Sequence, residues 1–291
     1  MREPDRFRPN RKLGLDKSKL AQRRADVLAD LERQLKEPAT VFVASSEMLG
    51  NFDEADLTAL RKWLAARVDA IRLVAYVREP ASYIESMLQQ SLKNGNSAFD
   101  VAKRYPNYRE RFAPLERVFG RDHVTYRAFT PKTFPNQCVV RDFLSVIGVD
   151  TPASGIKRIN ESLSKEAVGL LFAFRKHGPE FGEGPEALRR NRALIRWLGD
   201  VPGGRLRLAP SLLAPVIEEN ASDLAWMSER LGAPLLPQYT EGDADALRSE
   251  ADLLRFSPTT LAWLAKATGV TVQPVSADGT VDPVQIARAL E

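Results

Sequence analysis

Apolar residues in this chain follow two rhythms. Residues 71–77, IRLVAYV, form a nearly unbroken apolar, β-rich run. That is the pattern of a strand covered on both faces, although periodicity alone does not separate it from a short buried helix. Pro80 resolves the ambiguity. The residue before a proline is pushed out of the α region and proline suits a first helical turn, so the strand ends near Arg78 and a helix opens at Pro80 or Ala81. Within that helix Ile84, Met87, Leu88 and Leu92 fall at core-facing spacing, while Ser82, Ser86, Gln89, Gln90 and Lys93 form a polar stripe. Tyr83 points to the polar side.

The same two rhythms divide the rest. Asp16 caps a helix whose Leu20, Val27, Leu28, Leu31 and Leu35 repeat at helical spacing and which stops before Pro38. Residues 40–44, TVFVA, read as a buried strand, and Asp53 caps a helix with Leu57, Leu60, Leu64 and Val68 on its apolar stripe. Strand, helix and the strand at 71–77 then predict a right-handed βαβ unit with parallel strands. After a polar loop comes a helical stretch broken at Pro106 and Pro114. HVTYRA, 123–128, is a third strand, and 139–147 is a short amphipathic helix closed by Gly148. Beyond Asp150 helices dominate: one capped by Ser162 or Ser164 and running to Lys176, one over 185–198, a pair between 210 and 231, and at least one within 241–269. A last short helix starts at Pro283, in a loosely attached tail over 270–291. The expected fold is α/β, a small parallel sheet flanked by helices with a largely helical C-terminal half. Residues 1–235 form the α/β domain, with 1–15 as a mobile arm, and 236–291 a helical extension and tail. No solenoid repeat is present.

At 291 residues and 44% hydrophobic, the chain buries one large core or two modest ones. The net charge of +4 suits anionic ligands, but the basic residues are scattered and build no compact basic helix, which disfavours nucleic acid. Cys138 is the single cysteine, and His123 and His177 are the two histidines, so neither a disulfide framework nor an ordinary zinc cluster is expected. No apolar run reaches the length of a membrane span, and the expected location is cytoplasmic. Trp63, Trp197, Trp226 and Trp263 all fall on apolar helical stripes and read as core.

Arg78 lies at the carboxyl end of its strand, where open α/β sheets place ligands, and Ser86 follows eight positions later. Arginine offers a rigid donor fork that matches phosphate oxygens, and a serine near a helix amino end adds a neutral donor where the dipole favours an anion. As chemistry alone, Arg78 serves equally to cap the strand and pair with Glu79 or Glu85. The segment V-R-E-P, five residues, then Ser86, resembles the 3′-phosphate-binding motif of the sulfotransferase family. VFVASSEML, VFGRDHVTYRAF with DFLSVIGV, and INESLS resemble further segments of bacterial sulfotransferases, in the right order. The resemblance covers residues 36–165, and more weakly reaches 234 through ENASDLAWMSERLGAP.

The resemblance implies a P-loop NTPase-like fold, PAPS as co-substrate with its 3′-phosphate on Arg78 and Ser86, no metal, and transfer of a sulfuryl group to a hydroxyl, with carbohydrate as the candidate acceptor. Sulfuryl transfer needs a base for that hydroxyl. Glu47, just past the strand at 40–44, is the candidate, with Ser45 and Ser46 beside it to orient a substrate and Tyr83 to line the acceptor pocket. A Ser-Ser-Glu run after a strand also starts turns and satisfies backbone donors. Asn160 and Ser162 either touch the cofactor's phosphate or cap a helix. His123 and His177 read as structural or solvated. In one respect the chain departs from the family: it contains no Gly-x-x-x-x-Gly-Lys-Ser/Thr run to cradle a 5′-phosphosulfate, and Lys12 and Gly14 do not replace it. Either an upstream segment belongs with this chain, or it is a truncated, non-catalytic homologue that binds an adenosine 3′-phosphate nucleotide or a protein partner.

Overall fold

The computed structural model describes residues 14–149, 162–239 and 245–291. Short-range capping chemistry sets most helix starts. Asp16 accepts from the Lys19 N–H at 2.8 Å and opens α1 (Lys17–Leu35), and Asp53 accepts from the Asp56 N–H at 2.9 Å and opens α2 (Glu54–Ala65). Strand β1 (Leu73–Val77) ends one residue before Arg78, and α3 (Pro80–Lys93) begins on Pro80. There follow α4 (Tyr108–Phe119), β2 (Val124–Ala128) and α5 (Val139–Val146), after which Gly148 takes a left-handed φ of 69°. Ser164 caps α6 (Lys165–His177). Helices α7 (Pro185–Leu198), α8 (Pro210–Glu219), α9 (Ala221–Leu231), α10 (Pro258–Thr268) and α11 (Pro283–Ala289) complete the order. Among the described residues the structure is α/β, about 58% helical, with a two-stranded parallel sheet.

The strand expected at 40–44 is absent. Residues 41–46 are irregular, and Val41 and Val43 are 44% and 48% exposed. An apolar, β-branched run becomes a strand only where a neighbour completes its ladder, and the described sheet pairs β1 with β2 alone. The parallel partner of β1 is therefore the 123–128 segment, not TVFVA. Nor does Pro114 break its helix: α4 runs through it, with Tyr108, Leu115 and Phe119 buried along one side. The mobile arm expected over 1–15 falls almost wholly outside the described residues.

The chain divides into two compact units. The first comprises residues up to Ala75, Asn107–Tyr126 and Phe181–Arg192, and the second Tyr76–Pro106, Arg127–Glu180 and Ala193–Glu291. In the first, α2 packs on α4 through Leu57, Leu115 and Phe119, with Arg117 and Glu54 paired at 2.6 Å. In the second, α6 is the central element. Its stretch AVGLLFAF, residues 167–174, is buried throughout, as a helix apolar on all sides must be. Helices α3 and α11 and the turn Glu250–Leu254 pack around it. Residues 270–291 are thus no loose tail: Val272, Val281, Ile286 and Ala287 are buried.

Asp142 on α5, 6% exposed, keys that helix across both strands. It accepts from Tyr76 Oη on β1, and from Arg127 on β2 through Nε at 2.8 Å and Nη2 at 2.6 Å. The bidentate bond to Arg127 holds the Asp142 carboxyl below its ordinary range, and burial with the same carboxylate pushes the Tyr76 phenol up.

Two outcomes follow for stability. A Cβ at Gly169 would stand 2.2 Å from the Leu253 carbonyl oxygen, so Gly169→Ala should lower the unfolding free energy in urea by about 1–3 kcal/mol. Because the folded-state pKa of Asp142 is depressed, its contribution is present above the unfolded value near 4 and lost as pH falls through the folded value. Asp142→Asn should therefore cost about 1–3 kcal/mol at pH 7, with the gap from wild type closing below about pH 4. A gap independent of pH would contradict the charged role of Asp142.

Candidate functional site

The junction of β1 and α3 concentrates charge. Glu79, 9% exposed, caps α3: its carboxylate accepts from the Ala81 N–H at 2.9 Å and the Ser82 N–H at 2.7 Å, and also from the Gln238 N–H at 3.1 Å. The first-turn amides of α3 are thus held by the chain's own carboxylate. This corrects the expectation that the helix dipole there awaits an external anion. A ligand anion beside α3 has to be held by side chains.

Arg78 is the nearest. It follows β1 directly, half-buried, and its guanidinium carbon lies 4.8 Å from the centroid of the Phe129 ring. Phe129 is the first residue past β2, and its N–H donates to the Val77 carbonyl at 2.7 Å. Strand pairing thereby sets both members of the stack at the carboxyl ends of the two strands. Burial and then the like charge of Arg205 press the Arg78 pKa down, opposed by Glu79 and Tyr83. The cation stands where added negative charge lowers the energy.

Glu85 supplies the second anchor. At 5% exposed, it accepts from the Leu208 N–H at 3.0 Å and from Arg207 Nη1 at 3.1 Å. Burial raises its pKa; the Leu208 bond and the charges of Arg207 and Arg205 work against that rise. Glu85 therefore fastens residues 205–208 to α3. In that segment Leu206 and Leu208 are buried, Arg205 is exposed and Arg207 half-buried, the alternation of an extended chain. Ser86, the residue after Glu85, is half-buried and about 9 Å along the helix axis from Pro80.

Arg78, Tyr83 and Ser86 of the predicted set all lie in the second unit, as do Arg205 and Arg207, which the sequence reading missed. The signal was the alternation in R-L-R-L, which reads as an extended segment with both arginines on one side. Glu85, one of the partners considered for Arg78, is bonded instead to Arg207 and Leu208.

Ser46 and Glu47 belong to the first unit, in the exposed irregular segment. Ser46 Oγ accepts from the Met48 N–H at 3.1 Å, a local turn. With no strand over 40–44, the ground for placing Glu47 at a sheet edge is gone. Asn160 lies outside the described residues. Ser162 is exposed, and the cap of α6 is Ser164, whose Oγ accepts from the Ala167 N–H at 3.1 Å and donates to the Val201 carbonyl at 3.0 Å. His123 and His177 are exposed. An open depression of about 840 Å³ in the second unit, lined by Phe99, Lys176, Leu212 and Arg248 among others, includes none of the predicted site residues. Among the described residues, no group of three or more His, Cys, Asp or Glu is arranged to hold a metal ion, and no helix is long and apolar enough to cross a membrane.

No family model matches this chain, and no solved structure matches it. The chain is similar to an uncharacterized protein of Archaeoglobus fulgidus, 29% identical over 126 residues that make up 42% of this chain and 34% of the relative. It spans about a third of the length of that relative.

Proposed function

We propose that the Arg78 site binds the 3′-phosphate of an adenosine 3′-phosphate nucleotide, the end of PAPS that the sulfotransferase motif grips. One observation carries this reading. Arg78 is held half-buried at the paired strand ends, with its guanidinium stacked on the Phe129 ring. Such a guanidinium gains from a phosphate dianion, and Ser86 on the same helix offers a neutral donor.

The fuller reading is a sulfotransferase of P-loop NTPase-like fold that moves the sulfuryl group of PAPS to a hydroxyl acceptor, with carbohydrate as the class to assay first, in a cytoplasmic setting and without a metal. Transfer requires in addition a cradle for the 5′-phosphosulfate and a base. Glu47 is the base candidate to test by substitution. The nucleotide-binding reading stands without that assignment. A second reading, a binding module without turnover, is favoured by the exposed, irregular setting of Glu47. Turnover of PAPS with glycan acceptors, and its loss in Glu47→Gln, separates the two.

Calorimetry with adenosine 3′,5′-bisphosphate tests the site itself. Arg78→Ala should weaken binding by about 10- to 100-fold and Ser86→Ala by roughly fivefold, as expected for a charge-assisted and a neutral hydrogen bond. Adenosine 5′-monophosphate, which lacks the 3′-phosphate, should be insensitive to both substitutions. Equal bisphosphate affinity in wild type and Arg78→Ala would overturn the reading.

A further inference from the structure

We propose that α1 is a self-association face, through which two copies of this chain pair antiparallel about Leu28. The stripe that makes α1 amphipathic finds little cover in the first unit. Of its apolar residues Leu20 is buried, Leu31 and Leu35 are half-buried, and Val27 and Leu28 are 53% and 38% exposed. Every residue over 21–30 is exposed. Near its carboxyl end Glu32 pairs with Arg67 at 2.7 Å, but the middle of the stripe faces water along about three turns of helix. A helix in a protein draws most of its stability from packing its apolar face, so a stripe of this spacing left open is a surface for a partner.

The residues on that face select which partner. At about 3.6 residues per turn, Leu28, Leu31 and Leu35 share one side of α1 with Ala21, Arg24 and Ala25, and Glu32 flanks them. This side is large and acidic in its carboxyl half, small and basic in its amino half. Turned antiparallel about Leu28, two copies set Leu31 against Ala25, Leu35 against Ala21 and Arg24 against Glu32, on either side of a two-fold axis. Parallel pairing instead sets leucine on leucine, alanine on alanine and each charge on its like. The Glu32 carboxylate holds Arg67 through Oε1 and has acceptor sites left for Arg24 of the partner subunit. A lipid surface fits this helix less well. The side opposite the stripe carries Asp26 and Asp30 beside Lys19 and Arg23, whereas helices that lie on membranes concentrate lysine and arginine there. One helix pair is a small interface, so the association is concentration-dependent.

Sedimentation equilibrium on the full chain, over a wide range of concentration, tests this. The wild type should pass from monomer to dimer. Leu28 is exposed, so Leu28→Asp should melt close to the wild type, yet it should weaken dimerisation about tenfold or more by burying a charge at the axis. Cysteine substitutions in a Cys138→Ser background read the register. Leu28→Cys should give a disulfide-linked dimer on oxidation, and Ala21→Cys and Leu35→Cys should crosslink when mixed and not when alone. A wild type monomeric at every concentration, a dimer indifferent to Leu28→Asp, or Ala21→Cys crosslinking to itself each overturns the proposal. So does a monomeric wild type that co-sediments with phosphatidylserine vesicles and loses that binding in Leu28→Asp, which would give the face to a lipid surface.

Discussion

A carboxylate taken out of water has to be met where it lies, by donors in place before it is buried. Much of the second unit answers that demand. Asp142 draws Tyr76 of β1 and Arg127 of β2 onto one side chain of α5, so the helix cannot shift without leaving a buried charge unmet. Glu79 takes two amides of α3 and one from Gln238, far along the chain. Glu85 takes Arg207 and Leu208. Each joins segments distant in sequence, and each rules out alternatives in which its donors face elsewhere.

These same bonds define where an external anion can go. With Glu79 occupying the first turn of α3, the helix terminus is already neutralised, and an anion beside it has to be met by side chains such as Arg78. The sheet then acts as a mount. The bond from Phe129 to Val77 fixes the two strand ends relative to each other, and the stack of Arg78 on Phe129 gives the guanidinium a preferred plane. A planar fork held this way loses less conformational entropy on meeting a phosphate than a free surface arginine would.

Local chemistry was legible in the sequence. Pro80, Asp53, Ser164 and Pro185 mark helix starts through their own backbone geometry or a bond to an amide three residues on, and all four helices begin there. What depends on a distant partner was not. TVFVA has the composition of a strand, but composition does not supply the neighbour that completes a ladder, and residues 41–46 are irregular. The tail over 270–291 looked weakly apolar, yet Val281 and Ile286 are buried, in the unit whose α6 demands cover on every side. The positions of Arg78, Tyr83 and Ser86, at a strand end and on the helix that follows it, were legible because they are local. The link between residues 205–208 and α3 was not, since it depends on Glu85 meeting a segment more than a hundred residues away.

The central claim, that side chains rather than the α3 terminus hold the 3′-phosphate, is tested most directly by a crystal structure of the chain with adenosine 3′,5′-bisphosphate. The account predicts 3′-phosphate oxygens within about 3 Å of the Arg78 guanidinium and of Ser86 Oγ, with Glu79 still on the Ala81 and Ser82 amides. A phosphate seated on those amides with Glu79 displaced, or a nucleotide bound away from Arg78, would contradict it.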